Sequence, residues 1–165
     1  DAVIRTNHQG LVDYMNPIAE KLTGYTVDEA RGQPLSYVFR VIDEKSRELM
    51  LDPVAQCLHD NNIIHLSEGS LLINRYGKEY AVLASTAPIH DQSGHVIGVV
   101  LAASDVSEAR RMAHQITYQA THDALTQLPN RNLFQDRLHH AIDHARRNNG
   151  YIAILFIFIV YGMVI

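Results

Sequence analysis

Short apolar runs separated by turn residues dominate the first two thirds of the chain. Residues 2–6 and 11–14 form two such runs, and the polar residues between them end in Gly10, which favours a tight hairpin turn. Three longer runs follow at 70–74, 79–89 and 96–104, joined by short polar connections that each contain a glycine. Three consecutive strands with short turns predict an antiparallel meander, which with the first hairpin makes a five-stranded sheet.

Helix signals lie between the hairpin and the meander. Residues 16–24 open with Asn-Pro and close with glycine, which is typical of a short capped helix. Thr26 and Glu29 have capping-box spacing and predict a second short helix. Asp-Pro at the start of residues 52–59 predicts a third. The order of elements therefore predicts an α+β fold in which a five-stranded antiparallel sheet is flanked by short helices and followed by a C-terminal connector helix.

The connector helix is predicted at residues 106–120, which contain neither glycine nor proline. Apolar residues, among them Met112 and Ile116, recur there at three- and four-residue spacing and form one stripe. The stripe either meets a partner helix or packs back on the sheet of its own chain. A second helix is predicted at residues 132–148.

Composition limits the class of protein. The 165 residues are 47% hydrophobic and 19% charged, which is ordinary for a soluble domain with an appendage. A net charge of −4 favours neither nucleic acid nor an anionic membrane as partner. The single cysteine, Cys57, excludes an internal disulfide and fits the cytoplasm. Residues 151–165 are apolar but shorter than the roughly 18–20 residues that span a bilayer. We expect no membrane segment in this chain, which starts as though cut from a longer protein.

Three segments carry recognisable motifs, of which residues 11–25 read LVDYMNPIAEKLTGY and residues 87–98 read APIHDQSGHVIG. These two resemble the strand-to-helix pattern and the last hairpin of PAS sensor domains. Asp105, Val106 and Ser107 stand where many members carry Asp-(Ile/Val)-(Ser/Thr). The resemblance covers residues 1–107 and implies a PAS sensor domain at 1–105 with a signalling connector at 106–121.

In that family the Asp-(Ile/Val)-(Ser/Thr) motif joins the core to the output helix. The resemblance thus implies that Asp105, Val106 and Ser107 take part in signal coupling, together with Met112 and Ile116 of the connector. Helix capping alone is the simpler alternative for Asp105 and Ser107, because a carboxylate at a helix N-terminus is favoured by the macrodipole.

The segment THDALTQLPNR at 121–131 resembles the opening of a GGDEF domain, the diguanylate cyclase family. The matching residues are Asp123, Leu125, Thr126, Leu128, Pro129, Asn130 and Arg131. The resemblance implies that residues 122–165 are the truncated start of such a domain, taken from a bacterial cyclic-di-GMP signalling protein. Two cyclase domains, each holding one GTP, must meet for the reaction, so the resemblance also implies a homodimer through the PAS domain and the connector.

The catalytic parts of that family are missing from the sequence. Residues 153–157, AILFI, match its metal-binding strand, but Phe158 and Val160 occupy the two acidic positions. Phenylalanine cannot bind Mg²⁺, which requires oxygen ligands. No Gly-Gly-Asp-Glu-Phe segment occurs. We therefore predict no catalytic residue and no metal site, a chain that is not itself an enzyme although its parent is a cyclase, and an anomalous tail from about residue 158.

A ligand of the PAS domain is left open by the sequence. His59 and His65 are the candidates for a haem ligand, and Cys57 is outside the motif of flavin-binding light sensors, so the sequence requires neither cofactor. Leu83 and Ala84 replace an acidic pair that many related domains carry, which favours a small apolar ligand in a less polar cavity. The alternatives are a ligand-free dimerisation adaptor, or a redox or gas sensor with haem or flavin.

Overall fold

The structure is a computed structural model that describes residues 1–148 and 150–155. Within these residues the chain forms strands and helices in the order β1 Ala2–Asn7, β2 Val12–Met15, α1 Pro17–Thr23, α2 Val27–Ala30, α3 Leu35–Val38, β3 Arg40–Asp43, α4 Pro53–Asp60, β4 Ile64–His65, β5 Ser70–Ile73, β6 Glu79–His90, β7 Val96–Asp105, α5 Ser107–Thr121 and α6 Arg131–Arg147.

The strands form one antiparallel sheet in the order β2-β1-β7-β6-β5-β3, and β4 pairs with β6. Strands β6 and β7 are the longest, and their pairing runs from Val82 opposite Asp105 to His90 opposite Val96. Along β6 the side chains of Val82, Ala84 and Thr86 are buried, whereas those between them are more exposed. The α+β class and the antiparallel sheet flanked by short helices are confirmed.

The predicted number of five strands was too low. Strand β3 and the two-residue strand β4 were not predicted, because residues 40–66 are rich in charge and show no clear strand pattern. Strand β3 forms because Val41 and Ile42 are both buried when the strand pairs with β5. Two buried residues give too short a pattern to be recognised locally, and the pairing partner lies about thirty residues further along the chain. Helix α3 was also missed, because it has only four residues and no side chain caps its start.

The core lies between the sheet and the helices that cover one of its faces. It contains Ile4, Leu72, Val82, Val99 and Leu101 from the sheet, all fully buried. Helix α4 adds the buried side chains of Val54 and Cys57 and packs on β6 and β7. This covered face corresponds to the side of β6 that carries Ala84.

The predicted caps are confirmed at α1 and α2. The side-chain oxygen of Asn16 accepts hydrogen bonds from Ala19 N at 2.8 Å and from Val3 N at 3.0 Å, so one cap also joins α1 to β1. Thr26 and Glu29 form the capping box at the start of α2. The sequence pattern therefore identified the hydrogen bonds that begin both helices.

The chain divides into two compact units, Asp1–Met112 and Ala113–Ile165. The first contains the whole sheet with α1 to α4 and the first residues of α5. In its described part, the second contains the rest of α5, a turn and α6. No helix among the described residues is both long enough and apolar enough to cross a bilayer.

Candidate functional site

The junction between β7 and α5 is held by three hydrogen bonds. The Asp105 carboxylate accepts from Ser107 N at 2.9 Å, and the Ser107 hydroxyl oxygen accepts from Ala81 N at 2.9 Å. Val106 N donates to the carbonyl oxygen of Ala81 at 2.8 Å. The Asp105 carboxylate thus binds the first backbone N–H of α5, while Val106 and Ser107 attach the first turn of α5 to strand β6.

An ion pair connects the first turn of α5 to the segment after β3. The Arg110 guanidinium lies 3.4 Å from the Glu44 carboxylate, and both groups remain partly exposed. An exposed pair of this kind contributes at most about 1 kcal/mol to stability, so its main effect is to orient the helix. Sequence reasoning missed this contact, because nothing local links residues that are 66 positions apart.

The apolar stripe of α5 is not covered within the described residues. The side chains of Met112 and Ile116 are 47% and 67% exposed, and α5 has no buried residue. Both lie on the face that the three- and four-residue spacing predicted. Two large apolar side chains exposed on one face of a helix are a feature of contact surfaces.

The GGDEF-like segment forms the turn between α5 and α6. The Asp123 carboxylate accepts hydrogen bonds from Thr126 N and from the Thr126 hydroxyl, both at 2.9 Å, and these bonds lower the pKa of Asp123. Asp123 N donates to Leu128 O at 2.8 Å and closes the loop. Asp123 and Thr126 therefore fold the turn.

Asn130 connects both helices of this segment. Its side-chain oxygen caps α6 by accepting from Asn132 N and Leu133 N, and its amide nitrogen donates to Ala120 O at 2.8 Å. Leu125 and Leu128 are exposed, Pro129 forms an isolated bridge with His122, and Arg131 begins α6. The motif thus forms the turn between two helices. The side chains of Asp123 and Asn130 stabilise it through hydrogen bonds to backbone groups.

Three of the four residues proposed for ligand binding line one open recess of about 350 Å³. They are His65, Leu83 and Ala84, and the recess lies beside the β4–β6 pairing. His59 is not brought to it: its side chain is 88% exposed, and its Nδ1 lies 2.7 Å from the Asp60 carboxylate. The structure therefore brings three of the proposed residues together and separates His59 from them.

Leu83 and Ala84 point to opposite faces of the sheet. Leu83 is 47% exposed, whereas Ala84 is 8% exposed and belongs to the core on the helix-covered face. The apolar replacement of an acidic pair thus affects both faces. Only Ala84 makes the interior less polar.

Helix α4 and strand β6 are in direct contact near the middle of the core. The Thr86 hydroxyl donates to Pro53 O at 3.3 Å. Burial raises the pKa of the Cys57 thiol in the same helix. The helix and the sheet therefore touch at this point.

Residues 1–111, about two thirds of the chain, match the sequence model of the PAS fold family. The chain belongs to the PAS family. Residues 120–161 match part of the GGDEF domain of diguanylate cyclases, so the two resemblances stated from the motifs are confirmed. Phe158 and Val160, which bear on catalysis, lie outside the residues that the structure describes.

Two curated relatives come from Escherichia coli (strain K12). The probable diguanylate cyclase DgcE is 33% identical over 157 residues, which is 95% of this chain and 14% of DgcE. The cyclic di-GMP phosphodiesterase PdeR is 28% identical over 153 residues, which is 89% of this chain and 22% of PdeR. The chain therefore spans about a seventh and about a fifth of the lengths of these relatives.

A solved structure supports the fold. The PAS domain of a protein from Colwellia psychrerythraea is 18% identical, has a TM-score of 0.50, and covers 65% of this chain and 86% of its own. At this level of identity the similarity concerns the fold alone.

Proposed function

We propose that this chain is the sensory and regulatory PAS module of a cyclic-di-GMP signalling protein, and that it passes its state through α5 to a GGDEF output domain. The observation that supports this most directly is the junction at residues 105–107. There the first turn of the connector is hydrogen-bonded to Ala81 in strand β6. A shift of β6 would therefore move the helix that leads to the output domain.

The regulation we propose is geometric. Two GGDEF domains, each holding one GTP, must face each other for the condensation to occur, so the direction and rotation of their connector helices decide whether they meet. The Glu44–Arg110 ion pair supports this proposal, because it adds a second point at which the PAS unit holds the first turn of α5. A rigid helix transmits a change at its first turn to its far end.

The working unit in this proposal is a cytoplasmic homodimer that forms through the PAS domain and α5. The exposed stripe with Met112 and Ile116 supports a partner helix as the group that covers it. Burying both side chains would contribute roughly 1.5–3 kcal/mol each. The alternative is a domain that serves only as a dimerisation adaptor and holds no ligand.

For the ligand, we propose a small apolar molecule on the helix-covered side of the sheet. The apolar Ala84 among the core side chains supports this chemistry. An ultraviolet–visible spectrum of the purified chain, with mass spectrometry of any molecule released on denaturation, separates a ligand-binding domain from a ligand-free adaptor.

Haem and flavin fit the described residues poorly. The Thr86 hydroxyl donates directly to Pro53 O, so α4 and β6 leave no layer for a planar ring between them at that point. The exposed His59 is paired with Asp60 at the surface, away from the core. The described residues therefore favour neither cofactor.

The decisive experiment is to graft residues 1–121 ahead of an intact diguanylate cyclase domain and change the length of α5. Two alanines inserted after Gln115 rotate everything beyond them by about 200°, whereas seven inserted residues add nearly two full turns. We expect the two-residue insertion to lower cyclic-di-GMP synthesis at least about tenfold and the seven-residue insertion to retain most of it. The reason is that only the two-residue insertion rotates the output domains away from each other. Equal activity of the two grafts would show that α5 is a passive tether.

The chain itself should be catalytically silent. Phe158 replaces the expected metal-binding aspartate, and the sequence contains no Gly-Gly-Asp-Glu-Phe segment. Incubation with GTP and Mg²⁺, followed by chromatography, should yield no cyclic di-GMP above a protein-free blank. The grafted cyclase under the same conditions is the positive control, and turnover by the chain alone would contradict the prediction.

A further inference from the structure

A second recess of the PAS unit combines aromatic rings with unused hydrogen-bond donors. It has a volume of about 240 Å³ and lies where the segment before α2, helix α3 and strands β3 and β5 come together. Its polar lining consists of Tyr25, Ser36, Tyr37, Arg40, Asn74 and Arg75. None of these is an aspartate or a glutamate, although the chain as a whole has a net charge of −4.

Arg40 brings a positive charge to the recess. Within the described residues its guanidinium has neither a hydrogen-bond partner nor a carboxylate at ion-pair distance. The nearby Arg75 differs, because its Nη1 lies 2.9 Å from Glu29 Oε1 and its guanidinium stacks over the Tyr25 ring at 4.7 Å. Arg75 and the capping box together lower the pKa of Glu29 to about 2, so Glu29 stays charged and committed to these partners.

Asn74 adds a neutral donor to the same wall. This residue is only 8% exposed, and its Oδ1 accepts from Tyr76 N and Lys78 N, both at 2.9 Å, which fixes the orientation of the amide. Its Nδ2 has no protein partner among the described residues. Every fully buried side-chain nitrogen or oxygen described is satisfied, so this nitrogen must be accessible. An accessible donor whose orientation is fixed and which has no protein partner is available to a ligand that accepts its hydrogen bond.

The aromatic part of the recess is formed by two tyrosines. The rings of Tyr25 and Tyr37 lie 5.6 Å apart, centroid to centroid, with their planes inclined by 50°. Ile73 extends this apolar surface beside Arg40, its cross-strand neighbour. An anion bound here would thus have its charged end near Arg40 and Asn74 and its body against the rings.

We propose that this recess binds a small organic acid, with its carboxylate held by Arg40 and Asn74 Nδ2 and a planar apolar body packed on Tyr25 and Tyr37. A carboxylate has the acceptor oxygens that a guanidinium and an amide can share. The volume is below that of sites for drug-sized molecules, which limits the ligand to a single small ring or a short chain. The proposal goes beyond the proposed function, since it holds whether or not the chain regulates a cyclase.

Benzoate is the probe, and its neutral analogue benzamide is the matched ligand. Titration of the full chain, followed by amide chemical shifts, should give saturable changes around Tyr37, Arg40 and Asn74 with a dissociation constant of the order of 1 mM. Benzamide should bind at least about tenfold more weakly, because it lacks the charge. Shifts that rise linearly with benzoate, or equal binding of benzamide, would overturn the proposal.

Variants connect the binding to the named residues. Arg40→Gln should weaken benzoate binding about tenfold, whereas Arg31→Gln, at the end of α2 and outside the recess, should leave it unchanged. Asn74→Asp keeps the acceptor used by Tyr76 N and Lys78 N but places a negative charge in the wall, and should abolish binding. If Arg40→Gln binds benzoate as tightly as the original chain, the proposed site is wrong. If inorganic phosphate binds as tightly as benzoate, the proposed preference for an organic acid is wrong.

Discussion

Replacing Gly98 with alanine should destabilise the PAS unit by about 3 kcal/mol, the upper part of the range for inserting an atom into a packed interior. Gly98 lies in β7 opposite Asn7 of β1, and a β-carbon at this position would lie 2.1 Å from the carbonyl oxygen of Thr6. The obstacle is the backbone of the neighbouring strand β1, so it cannot move aside as the end of a side chain can. Thermal or urea unfolding followed by circular dichroism measures the loss.

Gly94→Ala is the control for this change. Gly94 has a φ of +82°, and nothing lies within 4 Å of the position that its β-carbon would take. Alanine there is strained only by the left-handed backbone, at a cost of about 1 kcal/mol. If the two variants lose the same stability, the close approach of β1 and β7 relaxes at little cost and the steric argument fails.

Local hydrogen-bonding signals made helices α1 and α2 predictable. Asn16 and the pair Thr26 and Glu29 were identified as caps from sequence alone, and the structure shows those bonds. The reason is physical, because a cap joins residues at most three positions apart and depends on their side-chain chemistry. The longest strands, β6 and β7, were predictable for a similar reason, since long apolar runs bounded by turn residues leave a clear local pattern.

Contacts between distant segments were not predictable. The Ser107 hydroxyl meets Ala81 N across 26 residues, and the first turn of α5 reaches Glu44 across 66. A serine that follows a strand predicts a helix cap. The neighbouring residues do not indicate which backbone N–H its hydroxyl oxygen will accept from. The motif thus located the junction, while the sheet register determined its partner.

The candidate ligand residues show the same limit. Leu83 and Ala84 were proposed together because they replace an acidic pair of related domains, but adjacent residues of a strand point to opposite faces. In contrast, Arg40 and Asn74 line one recess although β3 and the end of β5 are far apart in the chain. Neither residue belongs to a motif, so only the fold could bring them together.

The connector should self-associate through its apolar stripe, and Met112→Asp combined with Ile116→Asp should weaken dimerisation at least about a hundredfold. Each side chain contributes roughly 1.5–3 kcal/mol when buried, and tenfold in affinity corresponds to about 1.4 kcal/mol. Both are exposed within the described residues, so their replacement removes no contact of the core. Sedimentation equilibrium measures the dissociation constant, and thermal unfolding reports whether the PAS unit stays folded.

The matched control is His114→Asp combined with Gln115→Asp, which adds the same negative charge to exposed positions of α5 outside the stripe. We expect this pair to leave the dissociation constant within about threefold of the original, because charges far from an interface contribute little at physiological salt. If the stripe variant instead sediments like the original chain while losing thermal stability, α5 packs on the sheet of its own chain. The helix would then be part of the core, and the proposed route of signalling through a dimeric connector would be wrong.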